Sequence, residues 1–257
     1  MRPHIHLHLP GVSLPAIRQV GWDRPFSWLM AGVDDLKANP LPSLAYGLLF
    51  ALGGDLIILA TLRYPYLVTV AISGFFLVAP LLAAGLYELS RQTARGKKPL
   101  FIDSLRCYRR NGQSMAMFGL LIALAVVFWE RFSAIAFALL GPTSSGDTGI
   151  FLSRIIFSGE HDLFALTWLA LGGLLALLVF ALSVISVPMM LDQESDFVTA
   201  MATSLQACLD NPGPLLLWAA LIVALTLVGF ATALFGLILI MPILGHASWH
   251  AYRELVE

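Results

Sequence analysis

The stretch Leu163-Phe-Ala-Leu-Thr-Trp-Leu-Ala-Leu-Gly-Gly-Leu-Leu-Ala-Leu-Leu-Val-Phe-Ala-Leu-Ser-Val-Ile-Ser-Val-Pro-Met-Met-Leu191 holds no Asp, Glu, Lys or Arg. A helix needs about 20 apolar residues to cross the hydrocarbon core of a bilayer, and this run is longer. The rest of the chain is made of similar material. Of 257 residues, 58% are hydrophobic and 12% are charged, and the mean hydropathy is +0.83. That is too little charge to coat a soluble domain. It excludes disorder and a disulfide-dense fold as well. The net charge of -1 argues against nucleic acid as a partner, which would call for a basic face. Membrane lipids are the expected surroundings.

Five further spans are predicted outward from that run. Residues 41–62 are interrupted only by Asp55, and 66–89 carry no charge before Glu88. Residues 115–140 carry Glu130 and Arg131. Between Asp210 and Arg253 no Asp, Glu, Lys or Arg occurs. One helix over that interval would be about 60 Å long, twice the core thickness. It therefore divides into spans near 213–230 and 232–252, with a turn around Gly229 to Thr232. The expected fold is an all-α polytopic membrane protein with six transmembrane helices. Residues 1–22 form a flexible cytoplasmic tail, and 23–257 form one membrane domain. No secretory leader is evident in residues 1–20.

Basic residues set the orientation. With the N-terminus inside, twelve of the fifteen Lys and Arg lie on the inner side, and Arg63, Arg131 and Arg154 lie outside. The expectation is N-in and C-in, in a bacterial inner membrane. Cys107 and Cys208 then both face the reducing side, as small apolar fillers rather than ligands.

Three segments share one layout. Each opens with a short amphipathic stretch that stops at an asparagine: Asn39-Pro40, Asn111-Gly112 and Asn211-Pro212. Asn followed by Pro or Gly stops a helix, because Asn tolerates the cap and Pro cannot continue. A membrane hairpin follows each stop, with Pro80, Pro188 or Pro242 in its return helix. The layout predicts three hairpins, each preceded by an interfacial helix, in a pseudo-threefold repeat. In the first interfacial helix, Phe26, Leu29, Val33 and Leu36 fall near helical spacing.

Ionisable residues within a membrane are the first functional candidates. Asp55 lies about 21 Å from the start of its span. Gly47 and Ala51 share its face, which predicts that Asp55 points into the bundle. With Glu130 and Arg131 it makes a proton or cation site, or an ion pair near the outer surface. The second group lies at the inner ends of the return helices. Counting from the prolines aligns Asp192 with His246, and Glu88 with Asp196 and His250. His246, His250 and Glu254 form an i, i+4, i+8 stripe. His at i and i+4 can clasp a divalent metal or haem iron. The other reading is a set of interfacial hydrogen bonds with no cofactor. His4, His6 and His8 alternate in the tail, and His161 stands alone beside Glu160 and Asp162.

There is no P-loop, no dinucleotide fingerprint, no nucleophile elbow and no zinc-protease helix motif. The longest charged loop, residues 90–114, is too short for a catalytic domain. Nothing points to an enzyme.

Four stretches resemble a known family: Asn39-Pro-Leu-Pro-Ser-Leu-Ala-Tyr-Gly47, Pro80-Leu-Leu-Ala-Ala-Gly-Leu-Tyr-Glu-Leu-Ser90, Asn211-Pro-Gly-Pro-Leu-Leu-Leu-Trp218 and Pro242-Ile-Leu-Gly-His-Ala-Ser-Trp-His-Ala-Tyr-Arg253. They are similar to a bacterial integral-membrane family of unknown function (domain of unknown function 2189). Gln193 stands where that family usually carries Arg, and Asp55 where it is usually apolar. The resemblance implies no catalytic residues. Some relatives are labelled putative cytochrome c oxidase proteins, but His246 and His250 are too few, and too near the inner end, for a haem–copper catalytic subunit. The leading expectation is a non-enzymatic accessory or assembly factor of a membrane complex, a respiratory one among the candidates. A small transporter or channel, or a metal- or haem-binding membrane protein, are the alternatives.

Overall fold

The computed structural model describes residues 14–61, 79, 81–140 and 162–257. The histidines of the tail, His161, Arg63, Arg154 and Pro80 lie outside these residues. Helix is the only repeating secondary structure among them. The helices are α1 Arg24–Ala38, α2 Pro40–Thr61, α3 Ala84–Ala94, α4 Phe101–Leu105, α5 Cys107–Arg110, α6 Gly112–Leu140, α7 Asp162–Ser183, α8 Ser186–Asp192, α9 Phe197–Asp210, α10 Pro212–Ala231 and α11 Leu237–Leu255. Two compact units result. The first lies within Met1–Asp55, Ala79–Gly119 and Phe180–Glu257, and the second within Leu56–Val78 and Leu120–Val179.

Among the described residues, four helices are long and apolar enough to cross a membrane: Pro40–Leu59, Gly112–Leu140, Asp162–Asp192 and Pro212–Ala231. They match four of the six expected spans. The span expected at 66–89 falls largely outside the described residues. The one expected at 232–252 differs in kind. Residues 232–236 form a turn, in which Ala233 and Leu234 take positive φ. The helix after it, α11, is apolar in its first half and carries His246, His250, Arg253 and Glu254 in its second. Most of α11 is buried against protein. It packs on α1, α3 and α10 at the centre of the first unit.

The expected asparagine stops are helix corners with nearly one backbone geometry. The φ/ψ pairs are -135°/62° at Asn39, -132°/50° at Asn111 and -128°/52° at Asn211. Each Asn carbonyl accepts the first bond of the next helix, from the N–H of Ser43, Met115 or Leu215. The amides of Asn39 and Asn211 close the helix before, on Asp35 and Ala207. Each side chain then ties down a different segment. Asn39 Nδ2 donates to Thr93 Oγ1 at 2.8 Å. Asn111 Nδ2 donates to the Ser195 carbonyl at 2.6 Å. Asn211 Nδ2 donates to the Arg18 carbonyl at 3.1 Å, and its Oδ1 accepts from the Val20 N–H at 2.9 Å.

The segment that Asn211 holds also meets the C-terminal end of the described chain. Ile17 and Val256 form an antiparallel bridge. Arg18 N–H donates to the Leu255 carbonyl at 2.8 Å, and Glu257 N–H to Ala16 at 3.2 Å. Residues 14–20, expected to be part of a free tail, are held by these bonds.

Two details of the sequence reading change. The buried side of α1 is Pro25, Trp28 and Gly32, whereas Phe26 is 54% exposed. Trp22, Phe26 and Met30 form an exposed stripe at every fourth residue. The return helices also do not share a proline register. Pro242 lies thirteen residues before the end of α11, but Pro188 only four before the end of α8. The break in that second return helix is at Val184–Ile185. There the Ser204 hydroxyl accepts from Ile185 N–H at 3.1 Å and donates to the Ala181 carbonyl at 2.7 Å. A side chain has entered the i to i−4 ladder and kept both groups bonded.

In the second unit, α6 and α7 pack through aromatics. Trp129 and Trp168 have centroids 5.1 Å apart. Trp168 Nε1 donates to Ser133 Oγ at 3.1 Å. Gly172 makes room for the Trp129 ring.

Close backbone approach in the first unit makes a prediction. A Cβ on Gly32 would meet the Ile243 carbonyl oxygen and lie 2.8 Å from Ala247 N. Gly53 has nothing within 4 Å of such a Cβ. Gly32→Ala is expected to cost about 1–3 kcal/mol by overpacking, seen as a lower Tm in detergent. Gly53→Ala is expected to leave Tm unchanged or higher, since Ala favours a helix.

Candidate functional site

The inner-end candidates lie in the first unit, each with its own partners. The Glu88 carboxylate takes two bonds from Arg91, Nε and Nη2, both at 2.7 Å, and one from Gln92 at 2.7 Å. Glu88 and Arg91 are both buried. Asp192 accepts from Arg95 at 3.2 Å, Arg253 at 3.0 Å and Tyr252 Oη at 3.2 Å. Glu254 accepts from Arg24 Nε at 2.6 Å, Arg24 Nη2 at 3.1 Å and Trp28 Nε1 at 2.6 Å. Asp196 caps α9, accepting from the backbone N–H of Val198 and Thr199. A carboxylate there also suits the positive end of the helix. Bonds from the Thr199 hydroxyl and backbone hold its carboxyl below the usual carboxylate range.

The two histidines join a different set. His246 is fully buried. Its Nε2 lies 2.9 Å from Ser43 Oγ, and its Nδ1 lies 2.7 Å from Ser90 Oγ. Ser90 Oγ donates to Asp35 Oδ2 at 2.6 Å. His250 Nε2 lies 3.0 Å from that same oxygen. Five side chains from α1, α2, α3 and α11 thus form one continuous chain: Ser43, His246, Ser90, Asp35 and His250. Burial alone would raise the Asp35 carboxyl. The bonds from His250 and Ser90 outweigh it and hold the group below its ordinary range.

Asp35, Ser90 and Ser43 were not singled out in the sequence. Asp35 had a readable signal, since it continues the buried stripe of Pro25, Trp28 and Gly32 at helical spacing. Ser43 and Ser90 had none, because a serine in an apolar helix is ordinary.

A metal finds little at the histidines. Both nitrogens of His246 are engaged by hydroxyls. Among the described residues, no group of three or more His, Cys, Asp or Glu side chains could hold a metal ion. The thiols of Cys107 and Cys208 are free, and burial pushes both up to about 12.

The outer candidates divide between the units. Gly47 and Ala51 are buried as the shared face predicts, but Asp55 is exposed. The α2 face therefore does not carry Asp55 into the interior of its unit. In the second unit, Arg131 Nε pairs with Glu130 at 2.8 Å, and Arg131 is largely exposed. This is the ion-pair arrangement.

Comparison with known proteins reports one family. Residues 67–192 match the family described as a predicted integral membrane protein (DUF2189). Over those residues the chain is similar to the DUF2189 family. The match takes in α3 to α8, including Glu88, Ser90 and Arg91. No curated protein and no solved structure matches the chain.

Asp35 makes a pH prediction. A carboxyl depressed in the native state stabilises the fold above its unfolded value. That stability is lost as pH falls through the native value, below about pH 4 for an aspartate. Thermal unfolding in detergent between pH 7 and pH 3 is expected to show this loss in the wild type. Asp35→Asn is expected to start lower at pH 7 and to lack that acid-dependent part. Parallel curves for the two proteins would contradict it.

Proposed function

We propose that this integral membrane protein is a non-enzymatic accessory or assembly factor of a membrane complex, a respiratory complex among the candidates. The observation that carries the reading is where the charged side chains go. Glu88, Asp192, Asp196 and Glu254 are all spent on bonds within the chain: Glu88 within its own helix, Asp192 and Glu254 between elements, and Asp196 as a helix cap. Such groups make a rigid body rather than a reactive site. Leucines along α2, α6, α7 and α10 are left exposed, as lipid-facing helices require.

The finer architecture belongs to the same proposal. We read three arms, each a short interfacial helix, an asparagine corner and a membrane hairpin, giving six spans. The asparagine of each arm grips the segment leading into the next: Asn39 holds Thr93, and Asn111 holds Ser195. Asn211 completes the circle by holding Arg18 and Val20. Aromatic contacts follow the same order. Tyr46, seven residues after Asn39, packs on Phe101 at 4.9 Å and shares a 2.8 Å hydrogen bond with Ser104. Trp218, seven after Asn211, meets Trp28 edge-on at 5.9 Å. The basic residues place both chain ends on the cytoplasmic side of a bacterial inner membrane.

The transporter reading rests on pseudo-repeats, mid-helix prolines and a buried Asp55. Asp55 is exposed, so that support is gone.

Purification of the tagged chain from its native membrane in mild detergent, followed by mass spectrometry, tests the proposal. Subunits of one membrane complex are expected in constant ratio to the bait. Repeated recovery of the chain alone would contradict it.

A further inference from the structure

Residues 95–110 carry six basic side chains, Arg95, Lys97, Lys98, Arg106, Arg109 and Arg110, against one acidic side chain, Asp103. The whole chain has a net charge of -1, so this excess is local. Part of it is spent within the fold. Arg95 pairs with Asp192, Arg106 with Asp103 and Arg110 with Glu194. Lys97, Lys98 and Arg109 are exposed and, among the described residues, have no ion-pair partner.

The fold gives this segment two faces. At Arg106 the backbone stays helical, with φ/ψ of -70°/-13°, and carries α4 into α5. Ser104 and Cys107 are buried. Phe101 packs on Tyr46, and Tyr108 Oη donates to the Leu81 carbonyl at 3.3 Å. These four residues hold the inward face. Ile102, Leu105, Arg106 and Arg109 fall at i, i+3, i+4 and i+7, which is one helical face. All four are exposed, Ile102 at 70%. Leu100, just before α4, is exposed as well.

Large aliphatic side chains left open beside unpaired cations are poorly served by water. A charged membrane surface takes both kinds at once. The position in the chain supplies such a surface. Arg110 stands two residues before the start of α6, one of the helices long and apolar enough to span a bilayer. At 29 residues, α6 is about 43 Å long, against a hydrocarbon core of about 30 Å. With the apolar run of α6 starting at Met115, Arg109 and Arg110 come at headgroup depth.

We propose that the outward face of residues 97–109 is a docking surface for anionic phospholipid. Leu100, Ile102 and Leu105 enter the acyl boundary, and Lys97, Lys98 and Arg109 meet headgroup phosphates. The planar fork of Arg109 suits a phosphate bidentately. A free phosphate would satisfy the cations and leave the aliphatic side chains in water. A second copy offers little opposite charge, because Asp192, Glu194 and Asp196 are already bonded within their own chain. The proposal is independent of the assembly-factor reading.

The test uses the full chain. Native mass spectrometry from detergent compares binding of phosphatidylglycerol and phosphatidylcholine with the same acyl chains. Wild type is expected to prefer phosphatidylglycerol by about tenfold or more, and Lys97→Gln with Arg109→Gln to remove most of that preference. Arg18→Gln with Lys37→Gln removes as much charge from exposed positions elsewhere and is expected to keep it. Equal binding of the two lipids, or equal loss in the two variants, would overturn the proposal. So would displacement of the lipid by inorganic phosphate beyond that caused by sodium chloride of equal ionic strength, which would assign a free-anion site. A dimer that dissociates in the Lys97/Arg109 variant, without lipid preference in the wild type, would assign the face to a second copy instead. Insertion is read separately, by a spin label at Ile102→Cys in a Cys107→Ser, Cys208→Ser background. In nanodiscs containing phosphatidylglycerol the label is expected to meet oxygen more readily than a water-soluble nickel complex. The reverse order would overturn the proposal.

Discussion

An asparagine that ends one helix and starts the next is the constraint on which the first unit depends. At such a corner the chain turns within a single residue. A helix end otherwise leaves backbone groups without partners, and near a membrane no water is at hand to take them. Asn39, Asn111 and Asn211 resolve this in the same way. The backbone carbonyl opens the next helix at all three, the backbone N–H closes the helix before at Asn39 and Asn211, and the side-chain amide remains free to hold another segment. With those three grips in place, α1 and α9 are fixed across the ends of the apolar helices they precede.

What the corners position is a polar layer under apolar helices. Salt bridges on an exposed surface contribute little, so Arg18–Glu257 and Lys37–Asp34 do not hold the structure. Glu88–Arg91 and the Asp35 chain are different. They are buried, and removing one member would strand the other in a poorly solvating interior. The Asp35 chain fixes which helices meet, since it joins α1, α2, α3 and α11, whereas Glu88–Arg91 lies within α3. The Asp35 chain alone reaches from buried Ser43 to part-exposed His250, and this geometry separates it from the carboxylate pairs around it.

The sequence reading was most successful where one physical signal dominated. Long apolar runs with few or no charges identified α2, α6, α7 and α10, because bilayer thickness leaves few alternatives. Asn before Pro or Gly located all three corners. The reading was weakest where partners come from distant parts of the chain. The stripe of His246, His250 and Glu254 looked like one cluster, because one helix face carries all three. In the fold α1 lies against that face and divides it: Asp35 takes His250, Arg24 and Trp28 take Glu254, and serines from α2 and α3 take His246. Counting from prolines failed for Pro188 because its helix ends at Asp192, so Asp196 caps the next helix rather than continuing this one. Asp55 was misdirected because Gly47 and Ala51 fix only the lower part of the α2 face.

Closure between the chain's two ends is the most exposed part of the account, and a cross-link tests it directly. Ile17 and Val256 sit opposite each other, with backbone bonds on either side between their neighbours. In such a pair the Cα atoms lie about 4.5 Å apart, within reach of a disulfide. Ile17→Cys with Val256→Cys, in a background of Cys107→Ser and Cys208→Ser, is predicted to form an intramolecular disulfide on mild oxidation of the membrane-embedded protein. Thiols that stay free, or bridges found only between two chains, would contradict it.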